Sequence, residues 1–168
     1  GKQFLLDAVY AGIDATHLYG RLDFAGRIPT EDFEIVVNIE SWASGEPRPR
    51  RVLRIDSAAS NGKLTTWKIE NGVAGRVLAA STQPDEHVTL ALLRNFEFKV
   101  PLSWLLAVPA DSSDGSSAGK SKSTPTAATS KVRLRFSLWQ NRLPADSLPL
   151  EGWIELQVVS EGELLFGA

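Results

Sequence analysis

The sequence predicts an all-β domain, an antiparallel β-sandwich with immunoglobulin-like or jelly-roll-like layers and at most one short helical turn. Three observations predict it. Short segments in which apolar and polar residues alternate recur along the 168-residue chain, the period-two mark of half-buried strands. Turn-forming clusters of Asn, Asp, Gly, Ser and Pro separate them. No segment reads as a helix longer than one turn. About ten short strands in one chain of this size make two packed sheets the natural architecture.

The clearest pair spans residues 131–159. In 131–139, Val132, Leu134, Phe136 and Leu138 fall on one face, while Arg133, Arg135, Ser137 and Trp139 fall on the other. Residues 140–152 read as the turn, and 153–159 as the returning arm.

From the start, 4–13 and 17–24 form a hairpin around Asp14-Ala15-Thr16, where the Asp14 and Thr16 side chains can bond nearby backbone amides. Leu18, Leu22 and Phe24 alternate there with Tyr19, Arg21 and Asp23. After a loop over 26–32, Phe33, Ile35, Val37 and Ile39 face one way and Glu34, Val36, Asn38, Glu40 and Trp42 the other. A loop over 43–49 leads to a strand over 50–56. Asn61-Gly62 and Asn71-Gly72 are hairpin signals that bracket a strand over 64–70 and predict a meander. Strands follow at 87–93 and 96–101, and Leu102 to Leu106 fit a helical turn covering a sheet edge. Residues 110–130 change to Ser, Thr, Ala, Gly and Lys, too polar to offset the entropy of ordering. They are expected to form a flexible surface loop inside a single domain spanning 1–168.

Composition narrows the function. A formal net charge of −2 argues against nucleic acid, whose binders carry a basic surplus. No apolar run approaches the roughly 18 residues of a membrane helix, so no membrane partner is expected. The chain has no cysteine and no methionine, which excludes disulfides, thiolate zinc sites and cysteine nucleophiles. Two histidines are too few for a multi-histidine metal site. The start Gly1-Lys2-Gln3, running straight into a strand, fits a fragment cut from a longer protein. The compartment is not fixed by these features, with the cytoplasm the preferred expectation.

Several motifs fail on context. Gly115 to Ser121 imitates a phosphate-binding loop but has three residues between its glycines where four are needed, with no flanking strand and helix. No Gly-x-Ser-x-Gly elbow exists. Asp23, Glu34, Glu40 and Glu155 are carboxylates that read as outward residues solvating a sheet rather than as a glycosidase pair. Arg48, Arg50, Arg51 and Arg54, close to Pro47 and Pro49, read as a charged edge strand that resists intermolecular pairing.

The five tryptophans carry more. A sugar ring presents a face of C–H groups that stacks on an indole, while amide, carboxylate and guanidinium groups bond its hydroxyls. Trp42 shares its face with Asn38 and Glu40; Trp139 shares its face with Arg133 and Arg135, with Asn141 just beyond. These five residues, Trp42, Trp139, Asn38, Glu40 and Asn141, are the candidate carbohydrate site. Indoles serve equally well in cores and interdomain contacts, and Trp104, beside Leu102, Leu105 and Leu106, reads as packing. Trp67 and Trp153 fit either role.

Three stretches together resemble a known family. Val9 to Asp14 followed by Leu18-Tyr19-Gly20-Arg21-Leu22-Asp23-Phe24 resembles the opening of family 9 carbohydrate-binding modules and related DOMON-like sandwiches, with aspartate, a short turn and Leu-Tyr. Phe96-Glu97-Phe98-Lys99-Val100-Pro101-Leu102 with Leu105 resembles their Glu-x-x-Ile-Pro-Leu-x-x-Leu stretch. Arg135 to Trp139, with Leu148-Pro149, Gly152-Trp153 and Ile154 to Leu156, is similar to the C-terminal domain of bacterial glycoside hydrolase family 57 proteins. Gly20 is a small departure, since such strands commonly carry an apolar or bulkier residue there. The resemblance implies a non-catalytic accessory domain of an α-glucan-acting glycoside hydrolase. Its partners would be an oligo- or polysaccharide and the catalytic domain of the same polypeptide. In family 9 modules calcium ions brace loops, so structural calcium is implied by resemblance alone. The residues themselves contain no dense aspartate-glycine loop, and no cofactor is expected from them. The alternative is a structural sandwich whose aromatics dock on a neighbouring domain and bind no sugar.

Overall fold

The computed structural model describes residues 4–28, 32–56, 66–73, 76–81, 87–108 and 129–159. The expected loop over 110–130, through residue 128, and with it the phosphate-loop imitation, lies outside these residues. So does the Asn61-Gly62 pair.

Alternation translates directly into strands. The described elements are β1 (Leu6–Ile13), β2 (His17–Phe24), β3 (Phe33–Ala43), β4 (Glu46–Pro47), β5 (Arg50–Asp56), β6 (Thr66–Val73), β7 (Arg76–Ser81), β8 (Thr89–Leu92), β9 (Asn95–Pro101), α1 (Leu102–Leu105), β10 (Ser130–Gln140), β11 (Leu143–Leu148) and β12 (Ile154–Val158). They build two antiparallel sheets, as the sequence predicts. One has the order β1-β2-β9-β8 and the other β11-β10-β3-β5-β6-β7, with β12 also on β10 and β4 on β3.

The core lies between the sheets. Val132, Leu134, Phe136 and Leu138 of β10 are completely buried, beside Phe33, Ile35, Val37 and Ile39 of β3. The opposite sheet contributes Leu18, Leu22, Phe96, Phe98 and Val100. The Phe98 and Phe136 rings meet across the interface with centroids 6.0 Å apart. Burial of this many aliphatic and aromatic side chains, each worth about 1.5–3 kcal/mol, is the main force holding the layers together.

Five expectations need correction. Asn71-Gly72 is not a turn: both residues lie inside β6, Asn71 paired with Arg51 on one side and Ala79 on the other. The ladder between β6 and β7 shifts register at this dipeptide, so the permissive glycine backbone serves a bulge instead of a hairpin. Residues 140–152 are not simply a turn. The chain reverses at Asn141 and Arg142, whose φ angles of 49° and 63° suit a two-residue hairpin. It then forms β11 on the far half of β10, and β12 follows on the near half, Leu134 to Ser130 pairing with Ile154 to Val158. Likewise the expected loop over 43–49 contains the short β4, reached through Ser44 and Gly45 at φ 51° and 80°.

The arginine-rich β5 is not an edge strand, since it lies between β3 and β6. Its charges are accommodated singly: Arg54 donates to Glu34 at 2.9 Å, and Arg51 donates to the Trp104 carbonyl at 3.0 Å. Finally, α1 does not cover a sheet edge but ties the two sheets together. The Leu102 amide donates to the Thr16 carbonyl in the β1–β2 turn. The buried Ser41 hydroxyl of β3 donates to the Leu105 carbonyl at 2.8 Å. Trp104 packs against the core between Arg51, 4.5 Å from its ring, and the His87 imidazole, 5.9 Å away, in the packing role expected of it.

Among the described residues no helix is long and apolar enough to cross a membrane.

Candidate functional site

Each sheet turns one face to solvent, and the two outer faces differ in kind. On the eight-stranded sheet, cross-strand register places Trp42 beside Lys131 and then Gln157, and Glu40 beside Arg133 and then Glu155. Trp139 sits at the far end of β10 opposite Glu34. Eight residues of β10 separate Lys131 from Trp139, a span of about 27 Å at 3.4 Å per residue. Trp42 and Trp139 therefore share a face, as the alternation requires, but cannot grip the same sugar ring. Asn38 and Glu40 do stand on the Trp42 side, while Asn141 lies in the β10–β11 turn, its amide bonded to the Asp32 carbonyl at 3.0 Å.

The polar groups here are engaged with one another. Glu40 accepts from Arg133 at 2.8 Å, and Lys131 pairs with Glu155 at 3.5 Å. The Arg133 guanidinium lies 5.0 Å from the Trp42 ring and 4.6 Å from the Trp153 ring, and Lys131 lies 4.8 Å from Trp42. The Trp139 indole N–H donates to Ser137 at 3.2 Å. Cation–π contacts of this kind are worth about 0.5–1 kcal/mol each at exposed sites. They define a tryptophan-arginine ladder on this face.

The four-stranded sheet carries a different arrangement, which the tryptophan-centred sequence pattern does not single out. Its outer face is built in two cross-strand rows. Gly12, Tyr19, Lys99 and Thr89 form one; Tyr10, Arg21, Glu97 and Ala91 form the next. Together they line a concavity of about 410 Å³. Tyr10 is 57% exposed and Tyr19 is 40% exposed, high for large aromatic side chains. They are diagonal neighbours on adjacent strands, a relation that puts their Cα atoms roughly 7–8 Å apart. Gly12, directly opposite Tyr19, leaves the space beside that ring open: a Cβ built there would meet nothing within 4 Å.

Local chemistry fixes the Tyr19 ring and sets a guanidinium near Tyr10. Asp14 opens the β1–β2 connection and accepts from the Thr16 and His17 amides at 2.8 and 2.7 Å and from the Tyr19 hydroxyl at 2.7 Å. The aspartate, short turn and Leu-Tyr pattern thus has a physical basis: one carboxylate closes the turn and tethers the phenol. Arg21 makes a two-point contact with Asp23 at 2.7 and 3.2 Å, approaches Glu97 at 3.8 Å and lies 5.8 Å from the Tyr10 ring. The Asp23 carboxylate raises the Arg21 pKa, which keeps the guanidinium charged.

The same tether shows in titration. The Thr16 amide, then the Tyr19 hydroxyl and the His17 amide, hold the Asp14 carboxyl well below the ordinary aspartate value of 3.8. The Asp14 carboxylate in turn raises the Tyr19 phenol above 10.0. Asp14 is depressed in the folded state, so its contribution is complete above the ordinary aspartate range and is lost as pH falls through and below it. Tyr19 is raised, so its contribution is complete below 10.0 and is lost as pH rises from there through its folded value. Asp14→Asn is expected to bring the Tyr19 transition back toward 10.0, followed by ultraviolet or NMR titration. A Tyr19 transition unaltered by the substitution would show that the tether is absent in solution.

The four carboxylates read as solvating residues are each paired with a cation. Asp23 pairs with Arg21, Glu34 with Arg54, Glu40 with Arg133, and Glu155 with Lys131. Among the described residues no group of three or more His, Asp or Glu side chains is placed to hold a metal ion. Compared with protein-family models, with curated proteins and with solved structures, the chain finds no match.

Proposed function

We propose that this chain is a non-catalytic, carbohydrate-binding β-sandwich that serves an α-glucan-acting glycoside hydrolase. The observation that carries the binding half is the tyrosine face: two exposed phenol rings, that of Tyr19 tethered to Asp14, over a concave sheet surface bordered by an open glycine position. A pyranose stacks its C–H face on such rings, while Arg21, Glu97, Lys99 and Thr89 offer donors and acceptors to its hydroxyls. The cations Arg21 and Lys99 are balanced on the same face by Asp23 and Glu97, which suits a neutral ligand better than a phosphate or a nucleic acid. The accessory role and the α-glucan rest on the resemblance to family 9 modules and to the family 57 C-terminal domain.

The competing reading, docking on a neighbouring catalytic domain, calls for a broad apolar patch of indoles. Trp42 and Trp139 stand at opposite ends of one face and make no such patch.

Titration with maltoheptaose tests the proposal. Tyr10→Ala and Tyr19→Ala are each expected to weaken binding at least tenfold, or about 1.4 kcal/mol. Gly12→Val is expected to block the groove beside Tyr19 while leaving the fold intact, because its Cβ enters open space. Unchanged affinity in all three variants, measured by calorimetry, would remove the tyrosine face from consideration.

A further inference from the structure

We propose that the chain is bivalent, with a second glycan subsite beside Trp42 on the opposite outer face of the sandwich. This rests on the reading that the tyrosine face binds a neutral glycan.

The second subsite is a concavity of about 450 Å³ lined by Trp42, Gly45, Thr129, Lys131, Glu155 and Gln157. These residues come from four segments that the fold brings together: the end of β3, the β3–β4 turn, the start of β10, and β12. The turn is held in place, since the Ser44 amide donates to the Ser130 hydroxyl at 3.2 Å. Gly45, at φ 80°, presents no side chain to the opening. A preorganised wall of this kind lowers the ordering entropy that binding must overcome.

The chemistry selects the ligand class. Trp42 supplies an aromatic surface, Thr129 a hydroxyl, and Gln157 an amide that both donates and accepts. Lys131 and Glu155 are paired with each other at 3.5 Å, and nearby Arg133 is paired with Glu40. With its cations matched by carboxylates, the cavity carries no surplus charge to attract an anion. An aromatic surface ringed by neutralised donors and acceptors fits an uncharged polyhydroxylated ligand, the same class as at Tyr10 and Tyr19.

The two openings face away from each other across the sandwich, so one short oligosaccharide cannot fill both. A long polysaccharide, or two neighbouring chains of an insoluble one, can. Engaging both then raises retention through effective concentration, by factors that reach about 100 or more when geometry permits.

The test is an NMR and calorimetric titration of the intact chain with maltoheptaose, paired with retention on immobilised starch. Two oligosaccharides per chain are expected, with the Trp42 indole N–H resonance shifting alongside the tyrosine-face resonances. Trp42→Ala, and separately the exposed-surface variant Gln157→Leu, should remove the second site and leave the tyrosine face responding. Retention on starch should fall at least tenfold in each. One oligosaccharide per chain, with the tyrosine face responding and the Trp42 indole unmoved, overturns the second site while leaving the first reading in place. No response on either face overturns both.

Discussion

Replacing Asp146 with alanine is expected to destabilise the fold by about 3 kcal/mol, among the largest single-residue effects outside the apolar core. Asp146 lies on β11 and is only 8% exposed. One carboxylate oxygen accepts from the backbone amides of Leu5 and Leu6 at 2.9 and 3.0 Å, and the other accepts from the Ser147 amide at 2.9 Å. The first two bonds join the start of β1 in one sheet to β11 in the other, so this side chain latches the sandwich along the edge where β1 approaches β11 and β12. Alanine removes the acceptor and leaves the Leu5 and Leu6 amides without it in a partly or fully buried setting, at about 1–3 kcal/mol for each amide left unsatisfied. Loss of the buried carboxylate's desolvation penalty offsets part of this.

The substitution Asp146→Asn is the informative companion, because it separates the two roles of the carboxylate. The amide oxygen it introduces can still receive Leu5 and Leu6, but its NH₂ group then faces the Ser147 N–H. A loss of about half the alanine effect is expected. Urea denaturation gives both values, and hydrogen exchange at Leu5 and Leu6 should accelerate selectively in Asp146→Ala. A loss below about 1 kcal/mol in Asp146→Ala would show that water satisfies these amides equally well.

That latch was not legible in the sequence, and the reason is physical. Asp146 sits in a stretch whose neighbours include Pro144 and the exposed Leu143, so β11 lacks the alternation that marks a half-buried strand. Alternation reports which face of a strand meets the core, a local property of the pleat. It therefore located Val132 to Leu138, Phe33 to Ile39 and Leu18 to Phe24 correctly. It does not report which strand lies beside which. The pairing of β10 with β3, distant in sequence, decides that Trp42 and Trp139 are far apart on a shared face. The inclusion of β5 between β3 and β6 likewise overrides what its arginines suggest. Asn71-Gly72 was ambiguous because hairpins and bulges both favour glycine. The tyrosine face did leave a signal: Tyr10 and Tyr19 stand out of phase with Val9, Ala11, Leu18 and Leu22. It was outweighed by the tryptophans, which are the larger stacking surfaces.

Gly20 shows the same limit from the other side, and it sets the second large expected effect. Gly20→Ala is expected to destabilise by about 2–3 kcal/mol. Gly20 pairs with Phe98 across β2 and β9, and the phenyl ring lies over the glycine. A Cβ at position 20 would fall 2.1 Å from Cε1 and 2.5 Å from Cζ of Phe98, so the ring must move. It has little room: Phe98 is 3% exposed, with the Phe96 ring centroid 6.1 Å away and the Phe136 centroid of the facing sheet 6.0 Å away. Displacing Phe98 therefore disturbs packing between the layers as well as within one. Space that a larger residue 20 would fill is supplied from the neighbouring strand instead. That exchange implies coupling: Gly20→Ala combined with Phe98→Leu should cost less than the sum of the two single changes, by at least about 1 kcal/mol. Gly12→Ala, on the same sheet with open space at its Cβ, is the control. It should be neutral or stabilising by up to about 1 kcal/mol through the lost flexibility of the unfolded chain. Equal effects of alanine at positions 12 and 20 in denaturation experiments would mean that Phe98 yields freely, and the close packing of ring on glycine would not be what excludes a side chain from position 20.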